Sequence, residues 1–497
     1  MCPDLMSRFK NSARKGYKTM QKSIFEYMSK QTDYISDDDI NIKVSEFINS
    51  EFLAKSAKNL PHISEVEIAR HFTNLSKEVY GVDNGIYPLG SCTMKYNPKN
   101  TEQIAASPEF SGNHPYLDEA DIQGSLRVLY ETERMLAEIS GMNAVTLSPC
   151  AGAHGEYTGL LIIDQYHKDN GDYKRKKIIV PDTAHGTNPA TCSCIAADVV
   201  QIKTDEFGNI DLDVLRENID ETTSAFMLTN PSTLGFFEEN ILEIAKIVHE
   251  KGALLYYDGA NLNPLLGIAR PGDMGFDVMH FNLHKTFATP HGGGGAGSGP
   301  VGVKKYLQEY LPYPRIKKED ENYTIEENTG KSIGRVRSFY GNFPVILKTY
   351  LYILMLGKQG LRNAGEISIL NANYLLSRVK EIFEYPFGDK PCMHEFVVTA
   401  KNLKDKGIRT LDIAKRMIDY GIHPPTIYFP LIVQEAMMFE PTETENKESI
   451  DHLISVLESI REEIDTNPEI VKSAPNTKKV GRLDEVKAVK NQDLIWK

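Results

Sequence analysis

"ENILEIAKIVHEKGALLYYDGANLN", residues 239–263, is the stretch on which the fold turns. Its first part reads as an amphipathic helix. "ALLYY" (253–257) is then a short apolar run of strand length, and "DGANLN" closes it with polar residues. A helix feeding an apolar strand that ends on Asp and Asn is the repeating unit of a mostly parallel sheet covered on both faces.

The same texture extends both ways, from about Val145 to Val303. Short apolar runs recur at "AVTL" (144–147), "KIIV" (177–180), "ADVVQI" (197–202), "SAFMLT" (224–229), "DVMHF" (277–281) and "GPVGV" (299–303). Helix-like segments lie between several of them, including "GEYTGLLIIDQYHKD" and "LDVLREN". Ligands of such sheets bind beyond the carboxyl ends of the strands. The residues placed there are "SPCAGAHGE", "PDTAHGTNPA", "NPSTLGFFE", "DGANLN" and "NLHKT", which together read as one site.

On the N-terminal side, residues 1–80 read as polar and helical, with "EVEIARHFTNLSKEVYG" a helix stopped by Gly81. The turn-rich loop "GIYPLGSCTMKYNPK" (85–99) and a helix from about Gly124 to Ile139 follow. On the C-terminal side an apolar helix spans about Tyr340 to Gly360. Beyond it come a strand at 394–399, helices at 410–421 and 448–464, and a tail after Asn467 that reads as loop. This divides the chain into an N-terminal helical segment with the loop (1–120), a large α/β domain (121–364) and a small α+β domain with its tail (365–497).

Bulk properties narrow the classes. A chain of 497 residues, 41% hydrophobic, is long enough for two or three domains. Its net charge of −12 is dispersed, which argues against a nucleic-acid partner. No apolar run reaches the ~18 residues of a membrane span. The start, "MCPDLMSRFKNSARKGYKTM", is basic without the apolar core of a secretory signal, so a cytoplasmic location is expected. Cys192 and Cys194 are too closely spaced for a paired zinc motif, and the six cysteines read as reduced thiols with no metal site.

"HFNLHKTFATPHGGGGAGSGP" (280–300) holds one lysine, Lys285, before the glycine run Gly292–Gly295. A lysine beside glycines also suits a solvated turn. Its place after a strand, next to "DGANLN", suits a Schiff-base amine for an aldehyde cofactor such as pyridoxal 5'-phosphate. That cofactor needs a carboxylate for its ring nitrogen, and Asp258 ends a strand where an unpaired charge would be costly. Its phosphate needs N–H groups at a helix start, which Gly152 and Ala153 offer. His185 is the candidate for stacking on the ring, Asn261 for its phenolic oxygen, and Asn230 for a place nearby.

These residues resemble a known family. "DGANLN…HFNLHKTFATPHGGGGAGSGP", "AHGTNPA", "NPSTLGFFE" and "YPLGSCTMKYNP" are similar to the P-protein of the glycine cleavage system, a pyridoxal-phosphate glycine decarboxylase of the aspartate-aminotransferase-like fold (fold type I). The resemblance covers about residues 80–440. It implies that Lys285 is the Schiff-base lysine, Asp258 the pyridine partner and His185 the stacking residue. Many P-proteins are nearly twice this length with two homologous halves. The present chain resembles the lysine-bearing half, the second subunit of the split form. The resemblance therefore implies a homologous first subunit, a heterotetramer, and transfer of the aminomethyl group of glycine to the lipoyl arm of the H-protein.

Within that reading, Ser91, Thr93 and Lys95 of "PLGSCTMK" suit the glycine carboxylate, or their loop shapes a subunit interface. His291 suits proton transfer, or hinges the glycine loop. The apolar helix "VILKTYLYILMLG" is expected to be covered by the other subunit. Two alternatives stay open at the level of sequence: another pyridoxal-phosphate amino-acid decarboxylase or lyase, and a catalytically silent interaction subunit.

Overall fold

The computed structural model describes residues 23–27, 46–53, 63–205, 207–292, 297–327 and 330–492. The chain divides into two compact units: Met1–Gly81 with Ala474–Lys497, and Val82–Ser473. In the first, the helix Glu65–Ser76 starts on a capping box in which Ser64 and Glu67 satisfy each other's backbone N–H. This helix ends at Ser76, short of Gly81.

The larger unit is built on a seven-stranded sheet. Its strands are β1 (Ala144–Thr146), β2 (Lys177–Pro181), β3 (Asp198–Ile202), β4 (Thr223–Thr229), β5 (Leu254–Gly259), β6 (Val278–Phe281) and β7 (Val301–Val303). The spatial order is β1-β7-β6-β5-β4-β2-β3. Only β7 runs antiparallel to its neighbours, so β1 and the other five strands point the same way. All seven residues of β4 and all six of β5 are buried, as a sheet covered on both faces requires. The helix Gln123–Ser140 packs into this core through Leu126, Leu129 and Leu136 and ends on Gly141, whose φ of +70° suits glycine.

After β7 the chain forms a hairpin of Arg315–Glu319 (β8) and Asn322–Glu326 (β9). The helix Phe343–Val379 then runs far past the expected end at Gly360, broken only at Gly357, where φ is +59° and ψ is −173°. The expectation that a second subunit covers its first half is corrected. Val345, Ile346, Leu347, Thr349, Tyr352 and Ile353 are buried within this chain, and Lys348 pairs with Glu102 at 2.6 Å. Leu354 and Met355 stay exposed.

The C-terminal part carries a second antiparallel sheet, β10 (Phe396–Thr399), β12 (Ala436–Phe439) and β11 (Thr426–Ile427), backed by the helices Thr410–Asp419 and Lys447–Thr466. Beyond Asn467, where loop was expected, lie the short helices Pro468–Lys472 and Glu485–Lys490. The five described cysteines are free, and Cys2 lies outside the described residues. Among the described residues, no helix is long and apolar enough to cross a membrane.

Candidate active site

The shared direction of β1, β2, β4, β5 and β6 brings all five polar strand ends to one edge of the sheet. Asp258 on β5 stands directly beside His280 on β6. Its carboxyl is 2% exposed and fully engaged. Asn188 donates to Oδ2 at 2.9 Å, the Ala260 N–H donates to Oδ1 at 3.0 Å, and His280 Nε2 lies 3.2 Å from Oδ1. Burial pushes this carboxyl up, but His280, the two donors and the positive Lys285 outweigh it and hold it below the ordinary value. It is therefore a carboxylate prepared for a cationic partner.

Two buried groups support Asp258 from behind. His280 shares a 3.0 Å hydrogen bond with the Tyr256 hydroxyl, and burial keeps its imidazole below its ordinary pKa, hence neutral at pH 7. Glu156, on the helix Gly152–Asp169, accepts from Thr187 Oγ1 at 2.8 Å and Thr191 Oγ1 at 3.0 Å. Burial and the neighbouring Asp258 push its carboxyl up to about 7.

Lys285 sits in the single helical turn Leu283–Thr286 that follows β6. Its amine donates to the Ser91 carbonyl at 2.9 Å, so it reaches from the sheet edge to the "PLGSCTMK" loop. Ser91 is itself held at φ +63° with its N–H donating to Glu395 Oε2 at 2.6 Å. Thr93 is buried in the same loop. Lys95 is buried, and its charge is already committed: Nζ lies 2.5 Å from Glu443 and donates to the Thr286 carbonyl at 2.7 Å.

The remaining candidates fall around this centre. Gly152 and Ala153 open their helix without a side-chain cap, leaving the first N–H groups as free donors by helix geometry. A side chain at Gly152 would meet Asn282 Oδ1 at 2.2 Å, so only glycine lets the helix start this close to the β6 end. His185 is solvent-accessible, with Nδ1 3.0 Å from Thr187 Oγ1; its pKa is lowered by desolvation, while Asp258 raises and Lys285 lowers it. Asn230 follows β4, and its Oδ1 accepts the Glu238 N–H at 3.0 Å. The Asn261 amide donates to the Pro231 carbonyl at 3.0 Å and to Glu395 Oε1 at 2.9 Å. His291 faces His284 edge-on at 5.1 Å, and burial with Lys285 lowers it to about 4. Gly293–Gly295 lie outside the described residues.

This donor set fits pyridoxal 5'-phosphate. It combines a half-buried amine, an ionised buried carboxylate on the neighbouring strand, and an uncapped helix start against the β6 end. The fit rests above all on the Asp258 carboxylate, held ionised by neutral donors and a neutral His280 at the strand end beside Lys285.

Comparison with known proteins agrees. A family model described as "Glycine dehydrogenase, C-terminal domain" matches residues 364–480, and one described as "Aminotransferase class-V" matches residues 161–312. A protein of Caldanaerobacter subterraneus subsp. tengcongensis, named probable glycine dehydrogenase (decarboxylating) subunit 2, is 55% identical over 91% of this chain and 93% of its own length. The chain belongs to the glycine dehydrogenase (decarboxylating) subunit 2 family. Members bearing the same name from Kosmotoga olearia (55% identical, covering 92% of this chain and 94% of theirs) and Halalkalibacterium halodurans (54%, 91% and 93%) agree. Among solved structures, glycine decarboxylase (P-protein) of the glycine cleavage system, in inhibitor-bound form, superposes with a TM-score of 0.70 at 20% identity, over 86% of this chain and 95% of that one. A NifS-like protein superposes at 0.60 and 16% identity, over 76% and 99%. These likenesses place the subunit 2 family in the pyridoxal-phosphate-dependent α/β fold expected from the strand pattern.

Sequence reasoning missed Asn188, Glu156, His280, His394, Glu395 and Glu440. Asn188 lies inside the quoted "AHGTNPA". Glu395 and Glu440 carried a signal, since each is a charge set directly against an apolar strand.

Proposed function

We propose that this chain is the lysine-bearing subunit of a two-subunit, pyridoxal-phosphate-dependent glycine decarboxylase. Glycine loses its carboxylate as CO2, and the aminomethyl carbon attacks the lipoyl disulfide of an H-protein. One sulfur takes the aminomethyl group and the other leaves as a thiol. The reading includes a heterotetramer with a homologous first subunit, and a cytoplasmic location. The observation that carries it is the convergence of Lys285 and Asp258 on adjacent strand ends.

Lys285 is the amine that holds the cofactor, and the helix start at Gly152 and Ala153 receives its phosphate. Once bound, the cofactor supplies an electron sink for the breaking carbon–carboxylate bond. Asp258 keeps the proton on the ring nitrogen, and His280 and Asn188 fix the direction of its carboxylate. His185 covers the open side of the cleft as a neutral imidazole. Ser91 takes the Lys285 amine as a hydrogen-bond donor through its carbonyl, which orients that amine at the mouth of the site. Lys95 braces the loop through Glu443 and is not free to meet a substrate carboxylate. Asn261, Asn230, Thr93 and His291 shape the walls.

Family membership favours this reading over a different amino-acid lyase or a silent subunit. The test is glycine–bicarbonate carbon exchange by the purified chain, with and without a first subunit and a lipoylated H-protein. Exchange is expected when all are present. Lys285→Ala is expected to abolish both exchange and the visible absorbance of the bound aldehyde while leaving the circular dichroism unchanged. Exchange that persists in this variant would sink the assignment.

A further inference from the structure

β10 and β12 pair antiparallel with Phe396 opposite Phe439. One step beyond that pair stand Glu395 and Glu440, so the register sets two carboxyls face to face. Glu395 is 0% exposed and Glu440 is 1% exposed. Like charges directly opposed on a ladder repel, and two buried carboxyls in contact do not both ionise.

Their surroundings distinguish them. Both Glu395 oxygens accept hydrogen bonds, Oε2 from the Ser91 N–H at 2.6 Å and Oε1 from Asn261 Nδ2 at 2.9 Å. These are the bonds of a carboxylate. Glu440 has one nearby hydroxyl donor, Thr93, but neither carboxyl oxygen makes a hydrogen bond of good geometry, and both ring nitrogens of the buried His394 lack one as well. His394 Nε2 lies 3.8 Å from Glu440 Oε1, and one atom each of His394, Glu395 and Glu440 fall within 4.8 Å of one another. A buried carboxylate with at most one hydroxyl donor, facing a second carboxyl, is far costlier than a neutral acid.

We propose that this pair carries one proton, held on Glu440, and that Glu395, left as the carboxylate, positions the Ser91–Lys95 loop against Lys285. The route is continuous: Glu395 holds the Ser91 N–H, and the Ser91 carbonyl accepts from the Lys285 amine at 2.9 Å. The order of the two carboxyls agrees, Glu440 being the weaker acid. Burial and then Glu395 push Glu440 well above the ordinary range, and burial pushes Glu395 up to about 7 against its two donors and Lys285. Burial, Lys285 and Lys95 lower His394 to about 3, so it faces the pair uncharged. The other charged groups facing the pair are Glu443, which raises Glu440 and is itself paired with Lys95, and Lys285. The positioning role rests on the function proposed above; the placement of the proton does not.

Infrared difference spectroscopy on the cofactor-free chain at pH 7 tests the proton. Glu440→Gln is expected to remove one carboxylic-acid C=O component from the native spectrum and Glu395→Gln to retain it, while Glu133 and Glu156, pushed up to about 8 and about 7, contribute acid components common to all three proteins. Loss of no band in Glu440→Gln, loss in Glu395→Gln instead, or a stoichiometric divalent cation in the purified protein would overturn the proposal. Should Glu440→Gln not fold, Glu440→Asp is the second variant: a shift of one acid component at pH 7 supports the assignment, and an unchanged set of acid components overturns it. For the positioning half, Glu395→Gln should lower kcat about tenfold, the worth of one hydrogen bond, with a smaller change in KM. It should also move the pH midpoint of the visible absorbance at Lys285, and Glu395→Asp should recover part of both. An unchanged kcat and midpoint in Glu395→Gln would overturn that half, whatever the infrared result.

Discussion

At the scale of single residues, the site depends on which carboxyls are charged. Asp258 is buried like Glu156 and both accept hydrogen bonds, yet only Asp258 has His280 and Lys285 beside it to hold its charge, while Glu156 faces Asp258 itself. Asp258→Asn keeps the shape and removes the charge that retains the ring proton. We expect the variant to bind cofactor and to lose on the order of 10²-fold in exchange rate, since one electrostatic group of this kind is worth ~3 kcal/mol. A rate within threefold of native would show that another acid serves the ring. Glu156 behaves oppositely. Raised from 4.5 to about 7, its carboxyl keeps its proton in the folded chain over a window where the unfolded chain has lost it. Stability therefore falls as pH rises through that window and levels off above it. Glu156→Gln cannot ionise, so its melting temperature should gain on the native value between pH 4.5 and 7 and keep a constant difference above. A difference that does not vary with pH would refute the assignment.

At the scale of elements, the helix Gly152–Asp169 has to lie close to the sheet for its first N–H groups to reach the site. Gly155 makes this possible, because an added Cβ would meet the Gly299 carbonyl at 2.6 Å and His280 Cβ at 2.9 Å. Neither neighbour can swing away, so Gly155→Ala should cost ~1–3 kcal/mol by overpacking and weaken pyridoxal-phosphate binding in parallel. Thermal melting with an absorbance titration reads both effects, and Gly186→Ala, which meets nothing within 4 Å, is the control. Elements of this kind were legible in the sequence where burial imposes a pattern: the strands of the main sheet read as apolar runs, and those of β1, β2, β4, β5 and β6 end on the polar residues gathered at one edge. The β8–β9 hairpin was not, because "RIKKE" is mostly charged and each strand buries only one apolar residue fully, Ile316 and Tyr323. The helix Phe343–Val379 was read only to Gly360, since a glycine ordinarily marks an end. Here Gly357 absorbs the break and the chain resumes its helix. Glu395 and Glu440 escaped notice because their meaning lies in a register that pairs residues far apart in the chain.

At the scale of the whole molecule, the question is what this chain does alone. The residues proposed to bind the cofactor, Lys285, Asp258 and the helix start at Gly152, all come from the one chain. Cofactor capture should therefore need no partner, and the purified chain should show visible absorbance on adding pyridoxal phosphate. Turnover is a separate matter. Relatives bear the name subunit 2, and the loop that meets Lys285 is held from its own chain by Glu395 and Glu443 rather than from outside. On the proposed reading, a first subunit is therefore expected to raise turnover without being needed to bind the cofactor. Mixing the chain with a first subunit should raise glycine–bicarbonate exchange at least ~10-fold, a change of 1.4 kcal/mol in barrier, with little change in cofactor affinity. Light scattering on the same samples should show a larger complex. A chain that exchanges carbon at full rate with no larger species would show a self-contained decarboxylase. Loss of the absorbance in the isolated chain would show that the partner builds the cofactor site after all.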